Sequence, residues 1–317
     1  MAAMSHHVAV VGAGLIGRAW AIVFARAGFD VVLHDISAEA LEKAAESIEA
    51  SAADLVAAGL LPDTVFTARI RREPDLAAAL AGVDYVQECG PENLDAKQAL
   101  FGELEAACTP DTILGSSTSG ILASDFAAKL AHPERCLVAH PVNPPYLIPL
   151  VELVPSAVTR ADVTERVHAL MVDAGQVPIT VRQEITGFVL NRLQGALLNE
   201  ALRLVGGGYV SAEDLDNTVK HGLGLRWSFM GPLETIDLNA PGGIADYGAR
   251  YGPLYAGMAE TQSSAPDWGP AAMAELERAR RELLAEDDLA ARQAWRDRRL
   301  MALAAHKRDM DNTDPDR

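Results

Sequence analysis

Val8-Ala9-Val10-Val11-Gly12-Ala13-Gly14-Leu15-Ile16-Gly17 and, one helix length later, Val31-Val32-Leu33-His34-Asp35 are the stretches on which the fold turns. The first four residues form an apolar run short enough for a buried strand. Three glycines at GxGxxG spacing follow at once, then an amphipathic stretch that runs through about Ala27 and ends at Gly28. The second apolar run is the next strand, and it finishes on an acid. Strand, glycine turn, helix, strand and acid together open a doubly wound α/β domain that takes a dinucleotide. Gly12 permits the tight turn, Gly14 lets a pyrophosphate approach the backbone, and Gly17 lets helix and strand pack closely. The helix N-terminus offers free N–H groups and the positive end of its dipole to the phosphates. Asp35 accepts hydrogen bonds from the adenosine ribose and repels a 2′-phosphate. The following Ile36-Ser37 supplies no arginine for one, so the cofactor expected is NAD rather than NADP.

The bulk composition narrows the function class. At 317 residues and 49% hydrophobic, the chain can hold one large or two ordinary cores. A formal net charge of −17 argues against a nucleic acid or an anionic membrane as partner. Cys89, Cys108 and Cys136 form no CxxC, which suits buried thiols in a reducing compartment better than disulfides or a metal site. Arg18, Arg26 and Asp30 interrupt the most apolar N-terminal region, and the first residues lack a basic n-region. The expectation is a cytoplasmic protein without a membrane span or metal.

Outward from the glycine motif, Ser37 caps a helix to about Gly59, and residues 36–66, read as a helical hairpin, carry a net charge of −5. Asp84 to Cys89 is a strand leading to Glu92 and a helix with Lys97, both cofactor-side candidates. The strand at Thr112 to Gly115 ends in Ser116-Ser117-Thr118-Ser119-Gly120, hydroxyls that either orient a substrate oxygen or cap the next helix. His140 ends a further strand, and Glu152 lies inside the one after it, across the proline-rich His140-Pro141-Val142-Asn143-Pro144-Pro145 connection. A carboxylate on one imidazole nitrogen sets the tautomer and raises the basicity of the other. Strand and helix stop alternating after Val181. A helix from Thr186 to Gly206 follows, with Val189, Leu193, Leu197 and Ala201 on a core face, and everything beyond reads as helix, with a frayed tail after Lys307. The fold expected is α/β: a Rossmann-type doubly wound sheet over 1–184 and an all-helical substrate and dimerisation domain over 185–317.

With GAGLIG, SSTSG, AHPVNPP, LVELV and GFVLNRL in this order, the chain resembles the 3-hydroxyacyl-CoA dehydrogenase family over nearly its full length. HPVNPPYLIPLVELVP, GLGLRWSFMGPLETIDLNA and AARQAWRD resemble the lambda-crystallin branch, which includes L-gulonate 3-dehydrogenase. The resemblance implies His140 as general acid/base and Glu152 as the carboxylate that orients it. It implies Ser119 and Asn191 as donors to the reacting oxygen, and NAD contacts at Leu15, Ile16, Asp35, Glu92 and Lys97. It also implies a homodimer built through the helical domain.

Two features argue for a free hydroxy acid over a CoA ester. Residues 36–66 resemble the place where acyl-CoA members carry a basic arm, yet here they are acidic. Arg226 precedes the Gly231-Pro232 turn, where those enzymes usually lack an arginine, and a guanidinium suits bidentate binding of a carboxylate. A structural ion pair is the competing role for Arg226. L-gulonate fits best, L-carnitine and 3-hydroxybutyrate fit the same logic, and a 3-hydroxyacyl-CoA is the remaining dehydrogenase substrate. A crystallin-like NADH-binding protein with little turnover is the alternative of another class.

Overall fold

The computed structural model describes residues 6–313. Described residues up to Asn191, together with those from Arg292 onward, form one compact unit, and Arg192–Ala291 form a second.

The first unit is built on one sheet of eight strands: β1 (His7–Val11), β2 (Asp30–His34), β3 (Ile70–Glu73), β4 (Tyr85–Glu88), β5 (Ile113–Ser116), β6 (Cys136–Pro141), β7 (Leu150–Pro155) and β8 (Val177–Thr180), in the order β3-β2-β1-β4-β5-β6-β7-β8. Every neighbouring pair is parallel except β6 with β7. The order reverses between β1 and β4, which opens a crevice at the carboxyl ends of the strands. Successive side chains of a strand point to opposite faces, and the parallel strands here are covered on both. Val8 and Val10 enter one core with Trp20, Phe24, Leu41, Ile48 and Val163. Ala9 and Val11 enter the other with Phe101, Leu104 and Phe126. The first core is covered by α1 (Leu15–Arg26), α2 (Ala38–Ala57) and α6 (Ala161–Asp173). The second is covered by α3 (Leu76–Leu80), α4 (Leu94–Ala107) and α5 (Ala123–Phe126).

Ser37 caps α2 as expected, accepting a hydrogen bond from Ala40 N at 3.1 Å. The helical hairpin does not form. After α2 and Gly59 (φ +70°) the chain makes one 3₁₀ turn, Val65–Arg69, and enters the edge strand β3. That strand reads Ile-Arg-Arg-Glu, a charged edge with no apolar alternation to announce it.

The second unit holds most of α7 (Leu190–Gly206), then α8 (Ala212–Thr218), α9 (Gly224–Trp227), α10 (Pro232–Leu238), α11 (Gly243–Thr261) and α12 (Pro270–Leu283). Among the described residues the predicted core face of α7 is exposed at Leu193 (62%) and Leu197 (39%). Among this unit's described residues only Thr235 and Ala240 are buried.

The last helix, α13 (Leu289–Thr313), corrects the expected boundary. It leaves the helical unit and returns to the first, where Met301 is buried in the core that contains Trp20 and Leu300 packs beside it. Arg308 Nη1 donates to the Gly59 carbonyl at 2.7 Å, so the helix is anchored past Lys307, where a frayed tail was expected. Among the described residues no helix is long and apolar enough to cross a membrane. The three cysteines are free, and burial pushes the Cys136 thiol up to about 12.

A Cβ at Gly17 would stand 1.7 Å from the Gly12 carbonyl oxygen, whereas one at Gly14 would meet nothing within 4 Å. Gly17→Ala is therefore expected to lower unfolding stability by about 2–3 kcal/mol in a urea titration without cofactor. Gly14→Ala should leave that midpoint near the native value while weakening NAD binding.

Candidate active site

The glycine turn makes a cradle at the carboxyl end of β1. Gly12 has φ +107°, and a Cβ there would stand 2.6 Å from the Cys89 carbonyl oxygen. Gly14, beside which a Cβ would meet nothing within 4 Å, is the N-cap of α1 and has no side-chain bond, and the first turn, at Leu15 and Ile16, carries no acid. The first N–H groups of the helix are thus left for an anion. Asp35 sits beside the cradle: its Oδ2 accepts from Ala13 N at 3.0 Å and its Oδ1 from Ser37 N at 2.9 Å. Each oxygen keeps a lone pair for a ribose hydroxyl. These residues fit a dinucleotide.

Glu92 lies across the crevice and shapes the serine-rich loop. Its Oε1 accepts from Thr118 Oγ1 at 2.6 Å, Ser119 N at 2.9 Å and Gly120 N at 3.1 Å. Thr118 Oγ1 in turn accepts from Ile121 N at 2.9 Å, a bond within the loop, since α5 has Leu122 as its N-cap and no side-chain cap; the Ser119 residue is exposed. Lys97 pairs with a carboxylate in the interior. Its side chain is 0% exposed, and its ammonium donates to both oxygens of Glu88, at 2.9 and 2.7 Å. Glu88 also accepts from Gly90 N at 2.7 Å and Ser116 Oγ at 2.6 Å. A buried carboxylate needs a counter-charge and several donors, and the Lys97 ammonium is one of those that meet this need.

His140 and Glu152 face one another as register partners of the antiparallel pair β6–β7. His140 Nδ1 donates to Glu152 Oε2 at 2.8 Å, with the two side chains 8% and 0% exposed. The carboxylate can only accept, so Nδ1 carries a proton, and in the neutral tautomer Nε2 is the free acceptor. The other oxygen, Oε1, accepts from Val189 N at 2.8 Å and Leu190 N at 2.9 Å, at the start of α7. Burial alone would raise the Glu152 pKa, but the bonds from His140, Leu190 and Val189 outweigh it and hold the carboxyl below its ordinary range. Asn191, in the first turn of α7, donates through Nδ2 to the Ser119 carbonyl at 2.7 Å, which brings the two substrate-binding candidates together. Arg226 lies in the second unit, exposed and without an ion pair among the described residues.

Residues 7–185 match the 3-hydroxyacyl-CoA dehydrogenase NAD binding domain, and residues 187–280 match the C-terminal domain of the same enzymes. The chain belongs to the 3-hydroxyacyl-CoA dehydrogenase family. It is 43% identical to lambda-crystallin of Oryctolagus cuniculus over 96% of this chain and 97% of that one. It is 40% identical to an L-carnitine dehydrogenase of Pseudomonas aeruginosa over 77% and 76% of the two chains. Among solved structures, 5-formyl-3-hydroxy-2-methylpyridine 4-carboxylic acid 5-dehydrogenase, an NAD+-dependent dismutase, superposes with a TM-score of 0.81 at 29% identity. That match covers 98% of this chain and 100% of the other. The protein is an NAD-dependent oxidoreductase of this family.

One part of this dehydrogenase's site escaped the sequence reading. Gly187 and Phe188 both take positive φ, +80° and +50°, which turns the N–H groups of Val189 and Leu190 onto Glu152. Phe188 is fully buried, its ring centroid 5.5 Å from that of His140. The glycine before a helix was the available signal.

A carboxyl held below its unfolded pKa contributes stability above the ordinary carboxylate range and loses it as pH falls through the native value. Glu152→Gln is therefore expected to be less stable than the native protein at pH 7, with the gap narrowing as pH drops below that range. Urea midpoints measured from pH 7 to pH 3 check this.

Proposed function

We propose that the protein oxidises the 3-hydroxyl of a small free hydroxy acid, foremost L-gulonate, to 3-dehydro-L-gulonate. The observation that carries this reading is the Arg226 guanidinium, exposed and unpaired among the described residues, which is suited to a substrate carboxylate. Two further features support it. The lysine of α2, Lys43, is taken up by Glu39 at 2.6 Å, so no basic arm stands there for a nucleotide phosphate. The lambda-crystallin likeness spans nearly the whole chain.

The His140–Glu152 pair supports a proton-transfer chemistry. Ser119 Oγ and the Asn191 amide hold the C3 hydroxyl oxygen. His140 Nε2 takes the hydroxyl proton as the C3–H bond breaks, and Glu152 stabilises the imidazolium that forms. NAD, when bound, supplies the hydride acceptor. The four residues thus move one proton and orient one carbon, and the pair of electrons leaves with the hydride.

L-carnitine is the second reading. The L-carnitine dehydrogenase relative supports it, as does an aromatic face in the helical unit. The Tyr247 and Tyr251 rings of α11 lie 4.7 Å apart and tilted by 42°, Tyr247 stacks with Tyr255 at 6.3 Å with their hydroxyls 2.7 Å apart, and Trp227 follows Arg226. Such a face suits a trimethylammonium. Three free cysteines support a reducing, cytoplasmic setting.

The test is NADH formation at alkaline pH with L-gulonate, L-carnitine, L-3-hydroxybutyrate and L-3-hydroxybutyryl-CoA. Turnover of L-gulonate is expected, slowed by about 10²–10⁴ in His140→Ala. Arg226→Ala should raise its KM by about tenfold or more with NADH affinity intact. Preference for the CoA ester overturns the proposal. NADH binding without turnover of any of the four turns it to a crystallin-like role.

The exposed Leu193 and Leu197 of α7, with Leu225, Phe229 and Leu233, support a homodimer through the helical unit. Sedimentation equilibrium should return about twice the 33.7 kDa chain mass. Leu193→Asp should shift it toward one chain, and a native mass of one chain would count against the dimer.

A further inference from the structure

Behind the crevice lies a closed set of hydrogen bonds that the catalytic residues do not use. Tyr85 donates its phenolic hydrogen to Gln87 Oε1 at 2.6 Å. Gln87 Nε2 donates to Ser117 Oγ at 2.7 Å and to the Ala139 carbonyl at 3.3 Å. Ser117 Oγ also accepts from Trp20 Nε1 at 3.2 Å and lies 3.1 Å from Cys89 Sγ. The ends set the polarity, because an indole N–H can only donate and a peptide carbonyl can only accept. Gln87 must turn its amino group to Ala139, and its oxygen is then left for the phenol. Ser117, having accepted twice, gives its own hydrogen to Cys89, and the thiol donates to the Gln87 carbonyl at 3.7 Å. Gln87 and Trp20 are 0% exposed and Tyr85 is 1% exposed. Burial pushes the Tyr85 phenol and the Cys89 thiol upward, so both stay protonated.

The place of this network in the sheet gives it a task. Pairing of β5 with β6 ends at Ser116 and Val138, one residue short of Ala139. Gln87 reaches over from β4 at that point and bonds the peptide from which His140 follows. Gly115 makes the reach feasible: a Cβ there would stand 2.1 Å from the Tyr85 hydroxyl that fixes the amide.

We propose that Gln87 is a positioning residue for His140. Its amide fixes the Ala139 peptide, and through Ser117 and Trp20 it ties that peptide to α1, the helix that opens on the phosphate cradle. Glu152 holds the imidazole by Nδ1, and Gln87 sets where the backbone beneath the imidazole lies. The proposal rests on the reading of His140 as the base.

The experiment uses Gln87→Met, which keeps length and apolar volume but removes both donors, and Ser117→Ala, which removes only the hub hydroxyl. Protein labelled with ¹⁵N-histidine reports the His140 ring nitrogens at fixed pH, assigned by their loss in His140→Ala. Both variants are expected to shift these resonances, Gln87→Met more. With the hydroxy acid that the native protein oxidises, kcat should fall by about tenfold or more while NADH affinity stays within about twofold. Unmoved His140 resonances in the folded variants overturn the proposal, whichever substrate is right, and Ser117→Ala decides if Gln87→Met does not fold. A loss of NADH affinity and stability in proportion to kcat, with the resonances unmoved, reduces the network to a structural role. Shifted resonances with unchanged kcat uphold the positioning and count instead against His140 as the base.

Discussion

The buried carboxylate of Glu152 ties together parts of the first unit that are far apart in sequence. An ionised side chain away from water is tolerated when it is paired and its oxygens are met by donors. Glu152 has three: the imidazole of His140 and the peptide N–H groups of Val189 and Leu190. They come from β6 and from the entry to α7, so satisfying one carboxylate fixes a strand register and a helix start together. The turn that delivers the two peptides holds Phe188 in the left-handed region, which costs about 1–2 kcal/mol for a residue with a Cβ. Full burial of an aromatic ring returns about 1.5–3 kcal/mol, enough to hold the turn in place.

Glu88 repeats the solution on the cofactor side. Lys97, Gly90 and Ser116 meet it from beneath, and Glu92 then moulds the Ser119 loop in front. The groups assigned to substrate, Ser119 and Asn191, stand at the outer edge of this framework. Charge is therefore fixed in the interior, and the two groups proposed to meet the reacting oxygen are neutral. That division suits a reaction whose charge appears on the imidazole.

Local pattern carried much of this structure. The glycine motif, Asp35, His140 and Glu152 were legible because each stands at the end or in the middle of a short apolar run. The structure places them at the crevice or across one strand pair. What escaped depends on contacts distant in sequence. Ile70 to Glu73 is a strand because β2 offers it an edge, and its own two arginines give no sign of it. Lys97 reads as a surface cation on its helix, and only the buried Glu88 beside it explains its burial. Leu193, Leu197 and Ala201 of the predicted apolar stripe do lie on α7, with Val189 in the turn before it, but periodicity does not say what covers a stripe, and among the described residues its leucines stay exposed. Gln87 drew no notice because a glutamine inside a strand has no spacing to mark it.

The return of α13 makes the helical unit an insertion within the first one. The core around Trp20 is completed by Met301, which is translated after the whole of Arg192–Ala291. At synthesis rates of about 5–20 residues per second, some 5–20 seconds separate the end of the sheet from the helix that closes over it. During that interval the nascent sheet domain carries an uncapped apolar seat, the kind of transiently exposed surface that makes a folding chain prone to aggregate.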